Sequence, residues 1–380
     1  MPSGHDRSSL APMDVGGRLD RLRARLAAAG CDSLLVTNLR NVRYLTGFTG
    51  SAGMLLVTAA EALLTTDGRY TEQAAQQLAD AGVDVGIAIG RPSEQFEALD
   101  RATKGAARLG CEAGHVTLSL RETMQSAFRC IGEGSGSSGG LVPTRGLVEA
   151  LRRVKDAGEL ARVELAADIA DVALAQLKER LKTDITEAGF ALELDFEMRR
   201  RGADGVSFET IVASGPNAAL PHARPSDRRV EPGDIVVVDF GALVDGYHSD
   251  MTRTFSVGPV ASAELADILD AVLVSQRAGV RALKPGVTGA EVDAACRDSL
   301  EQAGYGALFM HGTGHGVGLD IHEGPAIAAG STDILEEGAI VTVEPGAYLP
   351  GVGGVRIEDS LVITATGARA LTKSTKDTNL

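Results

Sequence analysis

The sequence predicts two consecutive domains, an α/β domain over residues 17–150 and an α+β domain over residues 151–380. Three observations predict this. At 380 residues the chain is longer than an ordinary single domain. Its first part alternates helical and strand patterns, whereas its second part groups long helices apart from strand-rich stretches. Hydrophobic residues at 44% and charged residues at 23% are those of a globular chain with a sizeable core.

The elements follow in order. From Gly17 a stripe of Leu19, Leu22 and Leu26 marks a helix that stops near Gly30. Ser33–Thr37 reads as a strand; Val42–Phe48 follows, then strands over Met54–Thr58 and Ala62–Thr66 and a polar helix over Thr71–Ala81. The alternation continues to about Cys130. The glycine- and serine-rich run Gly132–Gly140 reads as a flexible surface loop. The domain boundary is placed after it, because Gly146–Lys182 reads as a near-continuous helical stretch. There Arg152, Arg153 and Lys155 lead into an alanine-rich amphipathic run that enters the second domain. A helix over Thr186–Arg201, a strand-rich section, helices over Ala263–Leu283 and Gly289–Ala303, and further strands complete the chain.

Charge and cysteine usage exclude several functions. A formal charge of −14 repels phosphate backbones, so nucleic acid is not an expected partner. Cys31, Cys111, Cys130 and Cys296 form no Cys-x-x-Cys pair, which argues against a zinc knot or a disulfide framework and favours a reducing, cytoplasmic compartment. Residues 1–17 lack the apolar segment of a secretory signal. No apolar run approaches the roughly 20 residues of a membrane span.

Five of the seven histidines, His222, His248, His311, His315 and His322, fall within about a hundred residues. The acids in that stretch are more telling. Asp239 ends the apolar run Ile235–Val238, and an unpaired carboxylate buried there would be very costly. Asp245-Gly246 is a signal for a two-residue type I′ hairpin turn, which pairs Val244 with Tyr247, Leu243 with His248 and Gly241 with Asp250. Asp239 and Asp250 then share a face as diagonal neighbours, with Cα atoms about 7–8 Å apart. Two acids so placed repel unless a cation lies between them.

The same pattern recurs in Val341-Thr-Val-Glu344 and Val355-Arg-Ile-Glu358, apolar strands that each end on an acid. With His315 they make a set of two Asp, two Glu and one His. Such a set suits Mn²⁺, Co²⁺, Fe²⁺ or Zn²⁺, singly or as a pair about 3.5–4 Å apart; Mg²⁺ alone rarely uses histidine. The run His311-Gly-Thr-Gly-His315-Gly-Val-Gly-Leu-Asp-Ile-His322-Glu323 is not the zinc-protease helix, because it lacks the glutamate and is rich in helix breakers. Nor is it a nucleotide loop, since no strand-then-helix context or lysine accompanies it. Its glycines let the backbone pass close to a ligand.

Asp239, the eleven-residue step to Asp250, the histidine run, Glu344-Pro-Gly346 and Arg356-x-Glu358-Asp359 together resemble the proline-specific metallopeptidases. These are Xaa-Pro aminopeptidase (aminopeptidase P) and Xaa-Pro dipeptidase (prolidase). The earlier motifs Tyr44-Leu-Thr-Gly-Phe-Thr-Gly-Ser51 and Thr66-Asp-Gly-Arg-Tyr-Thr-Glu-Gln73 are similar to the creatinase-type N-terminal domain of that family.

The resemblance implies a pita-bread catalytic domain holding two divalent ions, with Mn²⁺ ahead of Co²⁺ or Zn²⁺. Asp239 would bind one ion, His315 and Glu344 the other, and Asp250 and Glu358 would bridge them. His222, His311 and His322 match positions that contact substrate or transition state, and Arg356 and Tyr348 match a pair that steadies the carboxylates. The implied substrate is a peptide with proline at its second position, cleaved before that proline. Glu344 would move the proton, His322 stabilise the oxyanion, and Asp239 read the free α-amino group. The N-terminal domain favours the aminopeptidase, while the fourteen-residue step from Glu344 to Glu358 also resembles the dipeptidase. A pita-bread protein that binds without catalysis is the remote alternative. A homodimer is expected, with no membrane association. His248, Asp204, Glu323 and Asp359 receive no chemical role.

Overall fold

A computed structural model describes residues 10–103, 108–128 and 140–380. The chain divides into two compact units, one over Met13–Arg152 and the other over Arg153–Leu380 together with the described residues 10–12. No helix among the described residues is long and apolar enough to cross a membrane.

In the first unit, helix α1 (Arg18–Leu26) buries Leu19, Leu22 and Leu26, the stripe that predicted it. Strand β1 (Ser33–Val36) follows, then α2 (Leu39–Thr46), capped at its start by Asn38 and ended by Gly47 at φ 76°, a left-handed turn suited to glycine. Strands β2 (Met54–Thr58) and β3 (Ala62–Thr66), helix α3 (Thr71–Asp80), β4 (Gly86–Ile89), α4 (Pro92–Ala102), β5 (Arg108–Glu112), α5 (Leu118–Ala127), β6 (Gly140–Thr144) and the short α6 (Glu149–Arg152) complete it. The strands form one sheet in the order β4-β3-β2-β1-β5-β6. It is antiparallel from β1 to β3 and parallel elsewhere. Leu35, Leu56, Leu99, Leu109, Met124 and Phe128 form its core. Cys130 and nearly all of the Gly132–Gly140 run lie outside the described residues.

The expected near-continuous helix over 146–182 is broken. Helix α6 stops at Arg152, Val154 bridges to Ala339, and α7 (Ala157–Leu177) begins only after Asp156. The reason is a capping box: the Asp156 carboxylate accepts from the Glu159 amide, and Glu159 accepts from the Asp156 amide. That signature outweighs the helical propensity on either side of it.

The second unit continues with α8 (Glu187–Arg200), β7 (Gly205–Val206), β8 (Ile211–Ser214), β9 (Ile235–Phe240), β10 (Ala242–Val244), β11 (Tyr247–His248) and β12 (Met251–Ser256). Helices α9 (Ala263–Ala282) and α10 (Gly289–Gln302) precede β13 (Gly314–Gly316), β14 (Glu323–Ile327), β15 (Ile340–Val343), β16 (Gly346–Leu349), β17 (Gly353–Arg356), β18 (Asp359–Thr364) and β19 (Gly367–Ala370). Two apolar cores flank the strands. One packs α7 and α8 against β9 and β12 through Ile169, Leu194, Val238 and Phe255; the other packs α9 and α10 against β15 and β17 through Ile268, Val292, Val341 and Val355.

The hairpin register is the predicted one. Asp245 at φ 46° and Gly246 at φ 71° make the turn, Val244 pairs with Tyr247 and Leu243 with His248. The same register carries on below it, where Phe240 pairs with Met251 and Asp239 with Thr252. Asp250 falls in the interruption between the two paired stretches. Glu344 and Glu358 stand in a matching interruption: Val343 pairs with Asp359 on one side, and Gly346 with Arg356 on the other. At the first of these the ladder is only partly replaced: the Ser249 amide still donates to the Ala242 carbonyl at 3.0 Å, while the Ala242 amide donates to Ser249 Oγ at 3.0 Å.

Candidate active site

The second unit contains a cavity of about 530 Å³ lined by Asp239, Asp250, His315, Glu344 and Glu358, with His222, His311, His322 and Arg356 around them. Of the predicted residues only Tyr348 lies behind the lining, where its hydroxyl meets Arg356 and His311. Oxygens of Asp239, Asp250 and Glu358 lie within 4.8 Å of one another, and all three residues are buried. His315 Nε2 lies 3.5 Å from Asp250 and 3.3 Å from Glu344.

Two of the carboxylates are half satisfied. Asp239 Oδ2 accepts from Arg356 Nη2 at 2.5 Å, and Glu358 Oε2 accepts from Thr252 Oγ1 at 2.8 Å. Asp239 Oδ1 and Glu358 Oε1 are buried with no partner among the described residues. Orphaned buried carboxylate oxygens cost several kcal/mol unless something charged meets them. Burial, followed by the negative charges of Glu358, Asp239 and Glu344, drives the Asp250 carboxyl well above its ordinary range. Burial and then Glu344 and Asp239 do the same to Glu358, and burial pushes Glu344 up to about 7.

His315 presents a lone pair rather than a charge. His315 Nδ1 lies 3.0 Å from the Gly316 carbonyl, which can only accept, so the proton sits on Nδ1 and bare Nε2 faces Asp250 and Glu344. Burial holds His315 below its ordinary value, hence neutral. A lone pair aimed at two carboxylates is repulsive unless a cation intervenes. Divalent ions fit this donor set: three converging carboxylates, a neutral imidazole, and orphaned oxygens directed inward.

Around it runs a chain of oriented donors. Arg356 donates through Nη1 to Tyr348 Oη at 2.9 Å and to the Pro221 carbonyl at 3.0 Å, and through Nε to Thr252 at 3.1 Å. The Tyr348 hydroxyl donates in turn to His311 Nε2 at 3.0 Å, because His311 Nδ1 is committed to the Gly312 carbonyl at 2.8 Å. Burial lowers His311 to about 4, so it too is neutral. His322 stacks edge-on against His315 with ring centroids 4.4 Å apart.

Two residues of this network carried no expectation. Thr252 accepts from Arg356 and donates to Glu358, and Thr342 accepts from the His315 amide and donates to Glu344 at 3.1 Å. Their signal was available: each is a strand threonine two residues from an expected ligand. The glycines around His315 also differ from expectation. A Cβ on Gly314 would lie 2.1 Å from the Thr342 carbonyl oxygen, and one on Gly316 2.3 Å from that of Gly324. Neighbouring backbone, more than any ligand, demands glycine there.

The residues given no role are placed as follows. His248 bonds Ser207 at 2.9 Å and does not line the cavity. Asp204 accepts from the Asp245 amide. Asp359 and Glu323 are buried ion-pair partners of Arg253 and Lys155.

Comparison with known proteins gives a consistent answer. Residues 161–365 match "Metallopeptidase family M24", and residues 18–154 match "Creatinase/Prolidase N-terminal domain". The "Uncharacterized peptidase YqhT" of Bacillus subtilis is 43% identical over 360 residues, 95% of this chain and 99% of that one. An "Xaa-Pro dipeptidase" of Pyrococcus horikoshii is 34% identical over 354 residues, 91% of this chain and 94% of the other. Among solved structures, an "Xaa-Pro dipeptidase from Bacillus anthracis" superposes with a TM-score of 0.89 at 41% identity, covering 96% of this chain and 99% of that one.

Proposed function

The chain belongs to metallopeptidase family M24, with a creatinase/prolidase N-terminal domain ahead of a pita-bread catalytic domain, and from that premise we propose that it is an Xaa-Pro dipeptidase. The family makes it a hydrolase and implies divalent metal ions. The sequence alone favoured the aminopeptidase. The named relatives support the dipeptidase at least as well, and it takes precedence here. The observation that carries the metal-dependent hydrolytic reading is the pair of orphaned oxygens, Asp239 Oδ1 and Glu358 Oε1, in a cavity shared with His315 and Glu344.

Asp239, Asp250, His315, Glu344 and Glu358 would hold the ions, with Mn²⁺ the proposed metal. Bound there, divalent ions supply Lewis acidity for hydrolysis of an amide. The bond before proline is a tertiary amide with no N–H, so a site that recognises it must work without a backbone donor from the substrate. Glu344, lining the cavity beside His315, would take a proton from the attacking water and pass it to the proline nitrogen. His322 faces the cavity to stabilise the oxyanion, while His222 and neutral His311 shape the pocket. Arg356 holds Asp239 so that Oδ1 alone is left open, to an ion or to the substrate's α-ammonium.

The test is Mn²⁺-dependent release of proline from Xaa-Pro, compared with release of Xaa from Xaa-Pro-Yaa, with Glu358→Ala as control. A preference for Xaa-Pro-Yaa returns the assignment to the aminopeptidase. Full turnover in the metal-stripped protein or in the control defeats both.

A further inference from the structure

Lys155 and Glu323 form an ion pair at 2.6 Å whose side chains are only 1% and 6% exposed. Taking both charges out of water costs several kcal/mol per ion, and apolar side chains of similar volume usually do as well or better for stability. Such a pair invites the question of what it holds.

It holds a loop. Gly316 pairs with Glu323 at the base of residues 317–322. From that base the Glu323 carboxylate folds back under the loop, so that a Cβ on Gly318 would lie 2.4 Å from Glu323 Oε1. Above it the Gly318 amide donates to the Asp320 carbonyl, and the His248 amide donates to the Gly318 carbonyl at 2.9 Å. Lys155 comes from a distant segment anchored by its own amide on the Gly338 carbonyl at 3.0 Å, and its ammonium also meets the Arg153 carbonyl at 3.3 Å. His322, immediately before Glu323, stacks on His315 and lines the cavity.

We propose that Lys155 and Glu323 are positioning residues: their buried ion pair fixes the 317–322 loop and thereby the ring of His322 beside His315. Without the ion pair nothing directional holds the Glu323 side chain beneath the loop, and the Glu323 backbone and His322 lose their fixed position. A misplacement of about 1 Å in a catalytic group can cost about 100-fold in rate. The inference rests on the reading of His322 as a group that faces the substrate.

The test uses the full-length Mn²⁺-loaded protein and the double variant Lys155→Met/Glu323→Met, which removes both charges at similar volume. The expected result has three parts. The melting temperature and the Mn²⁺ dissociation constant stay at wild-type values or improve. The kcat on Xaa-Pro falls by about 100-fold with KM little changed. Amides of residues 317–322 exchange with solvent faster while the rest of the unit keeps its protection. A folded double variant that retains kcat and loop protection overturns the inference. Should the variant not fold, the wild type still decides, because the loop amides must then exchange as slowly as the neighbouring strands. Fast local exchange in the wild type overturns the proposal. A wild type that cleaves no Xaa-Pro bond defeats the peptidase reading instead, and the loop-exchange comparison alone then decides the role of the pair.

Discussion

Glu358 and Asp359 are neighbours in the chain, both buried, and their surroundings are opposite in kind. Glu358 receives one hydrogen bond, from Thr252, leaves Oε1 without a partner, and is driven upward by burial and by the charges of Glu344 and Asp239. Asp359 is opposed by burial too, yet Arg253 and Lys376 outweigh it and hold the carboxyl below its ordinary value. Gln276 and Thr372 complete its shell at 3.0 and 3.2 Å. Glu187 shows the neutral version of the same solution, taking bonds from Ser214, Asn217 and Ser226. Burial therefore does not mark a functional acid. An orphaned oxygen among like charges does, because only there would a cation repay the desolvation.

The contrast can be broken in several ways. Glu358→Gln has the largest expected effect: hydrolysis falls to background and bound metal is lost, while the metal-stripped protein melts higher because one repelling charge is gone. Metal analysis and melting of the stripped protein check this; a variant that keeps its metal ends the assignment of Glu358 as a ligand. Arg253→Met strikes the other face, leaving Asp359 with Lys376 and Gln276, and should cost about 3 kcal/mol in urea unfolding with the site's chemistry still present. Activity lost before stability would show that the two faces are not separable.

Arg356→Lys comes next. Lysine cannot reproduce the fork that reaches Asp239, Tyr348, Thr252 and Pro221 at once, so Mn²⁺ affinity should weaken by about 10–100-fold in calorimetric titration. The gentlest probe is pH on the metal-stripped protein. Asp250, Glu344 and Glu358 have raised values, so the stability they allow is complete at acid pH and is lost as pH rises, through about 7 for Glu344. Asp359 has a lowered value, so its contribution is present above the ordinary carboxylate range and disappears below it. Melting temperatures should fall from about pH 5 to about pH 8, with a separate acid limb that Asp359→Asn removes. A flat profile over the neutral range would contradict the crowding of the site acids.

Much of this was legible in the sequence, for identifiable reasons. The Asp245-Gly246 turn sets a register that is the same in the stretch pairing Asp239 with Thr252, so local signals alone place Asp250 beside Asp239. Acids ending apolar strands were visible because they break the alternation expected of strands. Partnership was not visible: Asp359 follows Glu358 directly, and nothing local says that Arg253, 106 residues earlier, neutralises it. The pairing of Glu323 is hidden for the same reason, since its partner Lys155 lies 168 residues away. The break after Arg152 has a local signature in Asp156-x-x-Glu159, but the alanine-rich run beyond it masks the cap.

The separation of these partners along the chain has one more consequence. Thr252 reaches Glu358 across 106 residues, and Arg356 reaches Asp239 across 117. An ion gripping Asp239, Asp250 and Glu358 would act as a cross-link closing a loop of that length, the circumstance in which a staple restrains the unfolded chain most. For a disulfide over a comparable loop the chain-entropy estimate is about 4–5 kcal/mol. Turnover and durability would then share one dependence, and a chelator would shorten the protein's working life in the same step that silences it.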